Sequence, residues 1–408
     1  MKQIKQIPAA ESPPVLYDDL ITEILSWVPA KSLIRFRCVC KSWNSFISDP
    51  EFAKLHLHRS STKNVDFDHL QLLLHCKPSP SGEDYALCCR ASSLLQHNQS
   101  SIIAERHRLK EKYRVIGLCN GLIGLCGSRC DEQFCHWIRF WNPATRSISP
   151  KSPPLYLDYD SYTNFGFGYD NWSDTYKAVA INFSAEGTQV RVYSKGAKCW
   201  RSIRCFHVLT VDVKDGVYVS GTLNWLALQK VSCEGGALAF VERHICLPND
   251  IIVWKPSLTF TQLVIISLHL GKETYTKLWL PRGIDEDLLF EPVPALGLIN
   301  HCLCFCYDHK RTNFVVWQMK EFGVEKSWTR LVNVSYEHLQ TGYNEFHHVL
   351  FPVCMSDNGD VLLLSDSDSG YCIILYNQRD NRVERFESPD NILCYSIKDY
   401  VESLVSPC

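Results

Sequence analysis

The first 60 residues carry apolar side chains at helical spacing. The apolar residues that recur at every fourth position are Leu16, Leu20, Ile24 and Val28. They share one face of a helix that begins near Asp18, and Pro29 ends it because proline disfavours the helical conformation in the residue before it. A second helix is predicted over residues 32–38, and a third runs from Val39 to Ile47 and is closed by Asp49 and Pro50. Three short helices bury too little apolar surface to be stable alone. They form either a cap on the rest of the chain or a platform that a partner protein completes.

From about residue 66 onward, short apolar or alternating runs are separated by turn residues, which is typical of β-strands. One unit recurs, with an apolar strand, a polar turn and a strand centred on an aromatic residue. These aromatic anchors, 52 to 63 residues apart, are Tyr85, Trp141, Tyr193, Trp254, Trp317 and Tyr376. Repeats of about 40–60 residues with several strands each are typical of a β-propeller. Six anchors predict six blades, with seven blades or a β-sandwich as alternatives.

The strands that open these units also resemble one another. Each follows a hairpin turn that contains Gly or Asn and leads into an apolar strand. The clearest examples are residues 119–126, 219–226, 299–306 and 356–364.

Composition narrows the class of protein. Of 408 residues, 46 % are hydrophobic and 21 % are charged, as in ordinary globular proteins. The net charge of −2 favours neither nucleic acid nor an anionic membrane as a partner. The 20 cysteines would indicate disulfides in a secreted protein, but no apolar run resembles a signal peptide or a membrane span. We therefore expect reduced, buried thiols in a protein of the cytoplasm or nucleus.

Motifs for catalysis and metal binding are weak. Gly166 and Gly168 resemble the start of a dinucleotide-binding loop, but Asn171 stands where the third glycine belongs and strands flank the segment. The best mixed group of metal ligands is Cys126, Cys130, Cys135 and His136, and a row of thiols on one strand face consists of Cys302, Cys304 and Cys306. Packing explains both groups better than a metal does. We expect no catalytic residue, no metal and no cofactor.

The order of residues in the helical region resembles the F-box of plant F-box proteins. The matching strings are Leu16-Tyr-Asp-Asp-Leu20-Ile-Thr-Glu-Ile24-Leu25-Ser-Trp-Val-Pro29-Ala-Lys-Ser-Leu33, Arg35-Phe-Arg-Cys-Val-Cys-Lys-Ser-Trp43 and Ile47-Ser-Asp-Pro-Glu-Phe52. The resemblance implies binding to a Skp-family adaptor and, through it, to the cullin and RING subunits of a ubiquitin ligase. The adaptor-facing residues that it implies are Leu16, Leu20, Ile24, Leu25, Pro29, Leu33, Val39 and Trp43. Tyr17 replaces the proline usual in the family. Because a proline at a helix start fixes its φ angle, we expect this departure to loosen the first turn.

The remainder resembles the F-box-associated, or kelch-like, domain of the same proteins, although the Gly-Gly pair of true kelch repeats does not recur. The matching strings are Gly117-Leu-Cys-Asn-Gly-Leu122, Trp141-Asn-Pro-Ala-Thr-Arg146, Phe165-Gly-Phe-Gly-Tyr-Asp170, Asp174-Thr-Tyr-Lys-Ala-Val179, Val217-Tyr-Val-Ser-Gly-Thr-Leu-Asn-Trp-Leu-Ala227, Trp317-Gln-Met-Lys-Glu-Phe-Gly-Val324 and Tyr400-Val-Glu-Ser-Leu-Val-Ser-Pro407. We therefore expect a mainly β chain with a small all-α N-terminal domain. Residues 1–13 form a flexible leader, 14–57 a three-helix F-box, and 66–408 a β-propeller-like interaction domain.

Together the two resemblances imply a non-catalytic, substrate-recognition subunit of an SCF-type ubiquitin ligase that binds an unidentified client protein through the β domain. Loops rich in aromatic and charged residues are the candidate client contacts. They contain Tyr156, Tyr162, Asn171, Trp172, Tyr336, Tyr343 and His347. Two alternatives remain: an F-box scaffold that acts outside ubiquitination, and a glycan-binding or hydrolytic propeller with a helical cap.

Overall fold

The chain folds into an N-terminal helical region followed by a six-bladed β-propeller, so the predicted mainly-β class is confirmed. The computed structural model describes residues 18–61, 71–78, 85–94, 104–109, 111–130, 134–157, 162–184, 187–204, 209–210, 215–230, 242–246, 251–255, 261–284, 294–340, 349–367, 370–387 and 392–408.

The helical region contains four α-helices in its described part. They are α1 (Asp18–Leu25), α2 (Ala30–Phe36), α3 (Lys41–Ile47) and α4 (Pro50–Ser61). The fourth helix was not predicted, because Asp49 and Pro50 were expected only to close the third. The Asp49 carboxylate accepts hydrogen bonds from the backbone N–H groups of Glu51 and Phe52, at 2.8 and 3.2 Å. Pro50 takes the first helical position, where no N–H is needed. The dipeptide that ends α3 therefore also begins α4.

The described residues that follow are built from short strands, with one short helix among them, α5 (Ala91–Leu94), and one 3₁₀ turn (Glu325–Ser327). The strands are β1 (Gln71–Pro78), β2 (Tyr85–Arg90), β3 (Ala104–Arg108), β4 (Arg114–Cys119), β5 (Leu122–Cys130), β6 (Phe134–Asn142), β7 (Ser147–Ile148), β8 (Leu155–Tyr156), β9 (Tyr162–Asp170), β10 (Thr175–Ser184), β11 (Gly187–Ser194), β12 (Arg201–Ile203), β13 (Leu209–Thr210), β14 (Val217–Val219), β15 (Thr222–Lys230), β16 (Glu242–Cys246), β17 (Ile251–Lys255), β18 (Thr261–His269), β19 (Thr274–Leu278), β20 (Ala295–Ile299), β21 (Cys302–His309), β22 (Asn313–Met319), β23 (Trp328–Ser335), β24 (Val349–Met355), β25 (Asp360–Ser367), β26 (Gly370–Asn377), β27 (Arg382–Glu387) and β28 (Ile392–Tyr400).

Most of these strands form six antiparallel sheets, which are the blades, and β16 and β17 form a separate two-stranded sheet. From the centre outward, blade 1 is β4-β5-β6-β7, blade 2 is β9-β10-β11-β12, blade 3 is β14-β15-β18-β19, blade 4 is β20-β21-β22-β23, blade 5 is β24-β25-β26-β27 and blade 6 is β28-β1-β2-β3. The first strands of neighbouring blades contact one another around a ring. Blade 6 combines the last strand of the chain with the first three, so pairing between β28 and β1 closes the ring.

The turns between first and second strands lie where the sequence predicts hairpins. Positive φ angles occur at Asn120 (54°) and Gly121 (75°), and again at Ser220 (47°) and Gly221 (79°). Two successive residues with positive φ are the signature of a type I′ turn, whose twist matches that of the flanking strands. The Asn-Gly and Ser-Gly pairs therefore set the register of blades 1 and 3.

Five of the six aromatic anchors lie in the third strand of a blade, as the repeat pattern predicts. They are Tyr85 in β2, Trp141 in β6, Tyr193 in β11, Trp317 in β22 and Tyr376 in β26. The assignment of Trp254 was wrong. It lies in β17, which pairs with β16 in a separate hairpin inserted between β15 and β18. The third strand of blade 3 is β18, which has no aromatic residue.

The two ends of the propeller differ in what they carry. Antiparallel order places the turns between strands one and two of every blade at one end, and the loops between strands two and three at the other. Lys54 of α4 contacts Asp174 in the β9–β10 turn at 2.7 Å, and Lys31 of α2 contacts Glu402, just after β28, at 2.9 Å. We call this end the helical end, and the opposite end the far end. β15 ends and β18 begins at the far end, so the inserted hairpin is connected there.

Glycines permit close packing between blades 2 and 3. Trp225 of β15 is buried there, and its indole N–H donates to the carbonyl of Phe165 at 3.3 Å. A Cβ atom on Gly216 would stand 2.4 Å from the Trp225 ring, and one on Gly166 would stand 2.8 Å from it. A Cβ on Gly168 would likewise stand 2.3 Å from Tyr218. The two glycines of the nucleotide-like motif therefore make room for neighbouring side chains.

Alanine at Gly216 is expected to destabilise the propeller by about 1–3 kcal/mol, because a methyl group there overlaps a rigid indole in a packed core. Alanine at Gly297 is the matched control, since its Cβ would meet nothing closer than 3.8 Å. Urea unfolding followed by tryptophan fluorescence measures both variants. Equal midpoints for the two variants would contradict this account.

Candidate protein-interaction surfaces

The helical region exposes four large apolar side chains. The exposed fractions are 52 % for Leu20, 57 % for Ile24, 49 % for Trp27 and 63 % for Val39. Single exposed apolar residues are ordinary, but a group of four on about 40 residues of small helices indicates an interaction site. We call these four residues the apolar surface.

Only some of the eight residues that the F-box resemblance implies lie on this surface. Leu20, Ile24 and Val39 belong to it, and Pro29 is exposed just before α2, where its φ of −54° suits the residue that precedes a helix. Trp43 is half-buried and packs edge-on against Phe36, with ring centres 5.6 Å apart. Leu16, like Tyr17, lies outside the described residues.

The other two, Leu25 and Leu33, are buried. They pack with Ala30, Ile47, Phe52 and Ala53 in the core of the helical region. Their side chains hold the helices together in this structure. Any effect of these two residues on adaptor binding is therefore indirect, because they position the helices.

Trp27 was not among the predicted residues, although its spacing could have found it. With Leu20 and Ile24 it completes an i, i+4, i+7 stripe, which is one face of a helix. Its ring is held in place, because its indole N–H donates to Glu23 at 3.3 Å and the Arg59 guanidinium lies 4.9 Å from the ring centre.

The same cluster joins α1 to α4. Arg59 donates to both carboxylate oxygens of Glu23 at 2.6 Å, a two-bond geometry that fixes the relative position of two helices. Hydrogen bonds from Arg59 and Trp27 lower the pKa of Glu23. His56 of α4 also contacts the Val28 carbonyl at 2.8 Å. The apolar surface is therefore carried by an ordered group of helices.

The predicted client-contact residues are divided between the two ends of the propeller. Tyr156 is exposed, and β8 pairs with the start of β6, which places it at the far end. Asn171 and Trp172 are exposed in the β9–β10 turn at the helical end, where Trp172 is 67 % exposed. Tyr336 is buried between blades 4 and 5. The side chain of Tyr162, and both Tyr343 and His347, lie outside the described residues.

Trp172 stands on a rigid turn. Asp170 is buried and accepts the backbone N–H of Trp172 at 2.9 Å, and His269 packs edge-on against the indole with ring centres 5.5 Å apart. This turn lies beside α4, at the end of the propeller opposite to Tyr156.

Four of the cysteines singled out in the sequence, Cys126, Cys135, Cys304 and Cys306, are buried, and Cys302 is half-buried. Cys304 and Cys306 are buried between blades 4 and 5, and burial raises the pKa of the Cys304 thiol well above its usual value. The Cys126 sulfur lies 3.6 Å from the His136 ring. Cys135 directly precedes His136 in β6, so its side chain points to the opposite face of the strand. Burial lowers the pKa of His136 to about 4. No group of three metal-ligating side chains occurs among the described residues.

We searched the helices of the described segments for a membrane span. None is both long enough and apolar enough to span a bilayer.

Comparison with known families identifies both parts of the chain. The F-box domain matches residues 15–55, and the F-box associated beta propeller domain matches residues 84–407. The chain therefore belongs to the family of F-box proteins that carry an F-box-associated β-propeller, whose members are typically non-catalytic adaptors.

Among its relatives in Arabidopsis thaliana, the F-box/kelch-repeat protein At3g23880 is 28 % identical, with 97 % of each chain covered. The F-box protein CPR1 is 26 % identical over 96 % of this chain and 88 % of its own length. The putative F-box protein At3g21120 is 30 % identical over 83 % of this chain and 88 % of its own length.

Proposed function

We propose that this chain is a substrate-recognition subunit of an SCF-type cullin–RING ubiquitin ligase. In this role the F-box, residues 14–57, binds a Skp-family adaptor and through it the cullin and RING subunits. The propeller domain, residues 66–408, binds a client protein, and the chain itself carries out no chemistry. This function places it in the cytoplasm, the nucleus or both.

The observation that carries the proposal is the apolar surface of the helical region. A helical cap that only covered the propeller would turn its large apolar side chains inward. Here Leu20, Ile24 and Val39 remain exposed, while other apolar side chains of the helices form the core that packs against the propeller. An adaptor interface of about 800 Å² per partner, with an apolar centre, would bury them.

We place client binding at the far end of the propeller. The helical end is occupied by α2, α4 and the residues that follow β28. Client bound at the far end would be presented by one rigid body to a ubiquitin-charged enzyme, which raises the local concentration of its lysines. Among the predicted contacts, Tyr156 fits this site and Trp172 does not.

The test is a pull-down of the intact chain with a purified Skp-family adaptor, beside the Leu20→Asp, Trp43→Ala double variant. The intact chain is expected to bind and the double variant to lose binding, because a charge at Leu20 disrupts the apolar surface and alanine at Trp43 removes the packing against Phe36 that supports the helices. Val324→Asp is the matched control, since Val324 is an exposed apolar residue of the propeller.

The proposal is supported if the intact chain and the control variant bind the adaptor and the double variant does not. Failure of the intact chain to bind, or equal binding by the double variant, contradicts it. Reconstitution with cullin, RING subunit and ubiquitin then separates a ligase from a scaffold, because a scaffold would bind the adaptor without any ubiquitin transfer to the complex.

A further inference from the structure

The last eight residues of the chain, 401–408, lie between the helical region and the propeller. They follow β28, the innermost strand of blade 6, and leave it at the helical end. They form neither helix nor strand, yet Ser403 and Leu404 are buried. Backbone that is buried outside regular structure needs hydrogen-bond partners from elsewhere. We call this segment the C-terminal segment.

Asn142, at the end of β6 in blade 1, supplies those partners. It is fully buried, and its side-chain amide donates to the carbonyls of Ser403 and Val405, at 3.0 and 2.8 Å. The amide oxygen of Asn142 accepts the backbone N–H of Ala144 at 2.9 Å, which fixes the orientation of its donor group. Gly121, in the neighbouring turn, leaves room for Ser403, since a Cβ there would stand 2.3 Å from the Ser403 hydroxyl.

Successive side chains of the segment face opposite partners. Leu404 packs with Leu25, Leu33 and Ile47 in the core of the helical region, together with Ala144 of the propeller. Val405 packs instead against the core between blades 1 and 2. The segment is therefore one layer of a sandwich, with the helices on one side and the propeller on the other.

Charged groups tie the same three parts together. Lys31 of α2 contacts Glu402 of the segment at 2.9 Å and Glu105 of β3 at 2.7 Å. Arg146 of blade 1 also contacts Glu105, at 2.6 Å. Burial alone would raise the pKa of Glu105, but the hydrogen bonds from Lys31 and Arg146 hold it at about 2. Glu105 therefore remains ionised throughout the neutral range.

We propose that the C-terminal segment, held by Asn142, locks the helical region onto the propeller and so fixes the direction of the apolar surface relative to the far end. The lock involves only contacts within this chain and does not depend on an adaptor or a client. Its consequence for ubiquitin transfer, that the distance from client to enzyme is set by eight residues, rests on the proposed function.

Asn142→Asp tests the lock with little change of shape. Aspartate keeps the oxygen that accepts the Ala144 N–H, but it sets a second oxygen against the two carbonyls that the amide donates to. Asn333→Asp is the matched control, because Asn333 is an exposed asparagine of β23. A chain that ends at Tyr400 tests the segment as a whole, and a synthetic peptide of residues 401–408 added to that shortened chain tests reversal.

Hydrogen exchange measured by mass spectrometry is the readout, on the full-length variants and the shortened chain without any adaptor. We expect the amides of α2 and α3 to exchange at least tenfold faster in Asn142→Asp and in the shortened chain, while β20 to β23 of blade 4 keep their protection. Asn333→Asp is expected to match the parent chain, and the peptide to restore protection of α2 in the shortened chain. Unchanged exchange in α2 and α3 would overturn the proposal, as would faster exchange spread equally over blade 4.

Small-angle scattering of the adaptor complex gives the second readout. Adaptor affinity within about threefold of the parent, together with a larger radius of gyration in Asn142→Asp, is the expected result. A complex of unchanged dimensions would overturn the proposal. If the intact chain fails to bind the adaptor, the proposed function fails, whereas the exchange experiment still decides the lock.

Discussion

Aspartate in place of Ile24 is expected to weaken adaptor binding at least about tenfold and to leave the thermal unfolding midpoint of the chain unchanged. Ile24 is 57 % exposed on α1 and contributes nothing to the core cluster of the helices. Burial of one large aliphatic side chain in an interface is worth about 1.5–3 kcal/mol, and every 1.4 kcal/mol is about a tenfold change in affinity. Aspartate loses that term and adds a charge that must be desolvated.

Leu33→Asp is the matched buried variant and is expected to behave in the opposite way. Leu33 is fully buried among the helices, where an unpaired carboxylate costs several kcal/mol. The helical region should therefore lose its structure, and adaptor binding should disappear because of unfolding. Circular dichroism and adaptor titration of both variants measure the two effects separately.

This pair of variants decides how the eight residues implied by the F-box resemblance divide into contacts and packing. If Ile24→Asp binds the adaptor as the parent does, α1 is not the contact surface. If Ile24→Asp lowers the unfolding midpoint as far as Leu33→Asp does, Ile24 stabilises the fold of the helical region, and its exposure does not identify it as a contact residue.

Five of the six blades could be recognised in the sequence because each repeats the same local chemistry, and the sixth anchor completed the right total from a strand outside the blades. Turns with positive φ need Asn, Gly or a similar residue, so Asn120 and Gly121 are visible in the sequence. Buried third strands need large apolar side chains, so most aromatic anchors are visible as well. Trp254 misled because a hairpin outside the blades satisfies the same local pattern, with an apolar run that ends in an aromatic residue. A local sequence pattern does not show which sheet a strand joins.

The positions of the candidate contacts could not be predicted, because topology decides them. Tyr156 and Trp172 stand in loops of similar composition, yet antiparallel order places them at opposite ends of the propeller. Tyr336 also looks like a loop aromatic in the sequence, but its ring closes the core between blades 4 and 5. The contacts between Asn142 and residues 403–405 join positions more than 260 apart in the chain, beyond any local pattern.

Two strings that carried the family resemblance contain a buried ion pair that composition does not reveal. Asp170 ends β9 and Lys177 lies in β10, and their side chains are 2 % and 7 % exposed. The Lys177 ammonium lies 2.8 Å from the Asp170 carboxylate and donates to the Leu270 carbonyl of blade 3, also at 2.8 Å. Glu273 lies 3.3 Å from the same ammonium. Lys177 therefore joins blades 2 and 3 at the helical end.

The pair also determines behaviour in acid. Burial alone would raise the pKa of Asp170, but hydrogen bonds from Lys177, Ser173 and the backbone N–H of Trp172 lower it to about 2 from an ordinary value of 3.8. A carboxyl whose pKa is lower in the folded chain stabilises the fold above its ordinary pKa. This stabilisation is therefore complete above about pH 4 and is lost as the pH falls from 3.8 towards 2.

Methionine in place of Lys177 is expected to lower the free energy of unfolding by about 3–5 kcal/mol, because it leaves the Asp170 carboxylate buried without its counter-charge. Asp170→Asn should have an effect of similar size, and the double variant should cost clearly less than the sum, since the two groups act as one unit. Arg201→Met is the matched control. Arg201 pairs with the same Glu273 but is 56 % exposed, so its loss should cost no more than about 1 kcal/mol. Urea unfolding of the four variants at pH 7 gives the comparison. Additive losses would mean that Asp170 and Lys177 do not act as one unit, and equal losses for Lys177→Met and Arg201→Met would mean that burial does not make the Lys177 contacts more important for stability than the exposed pair.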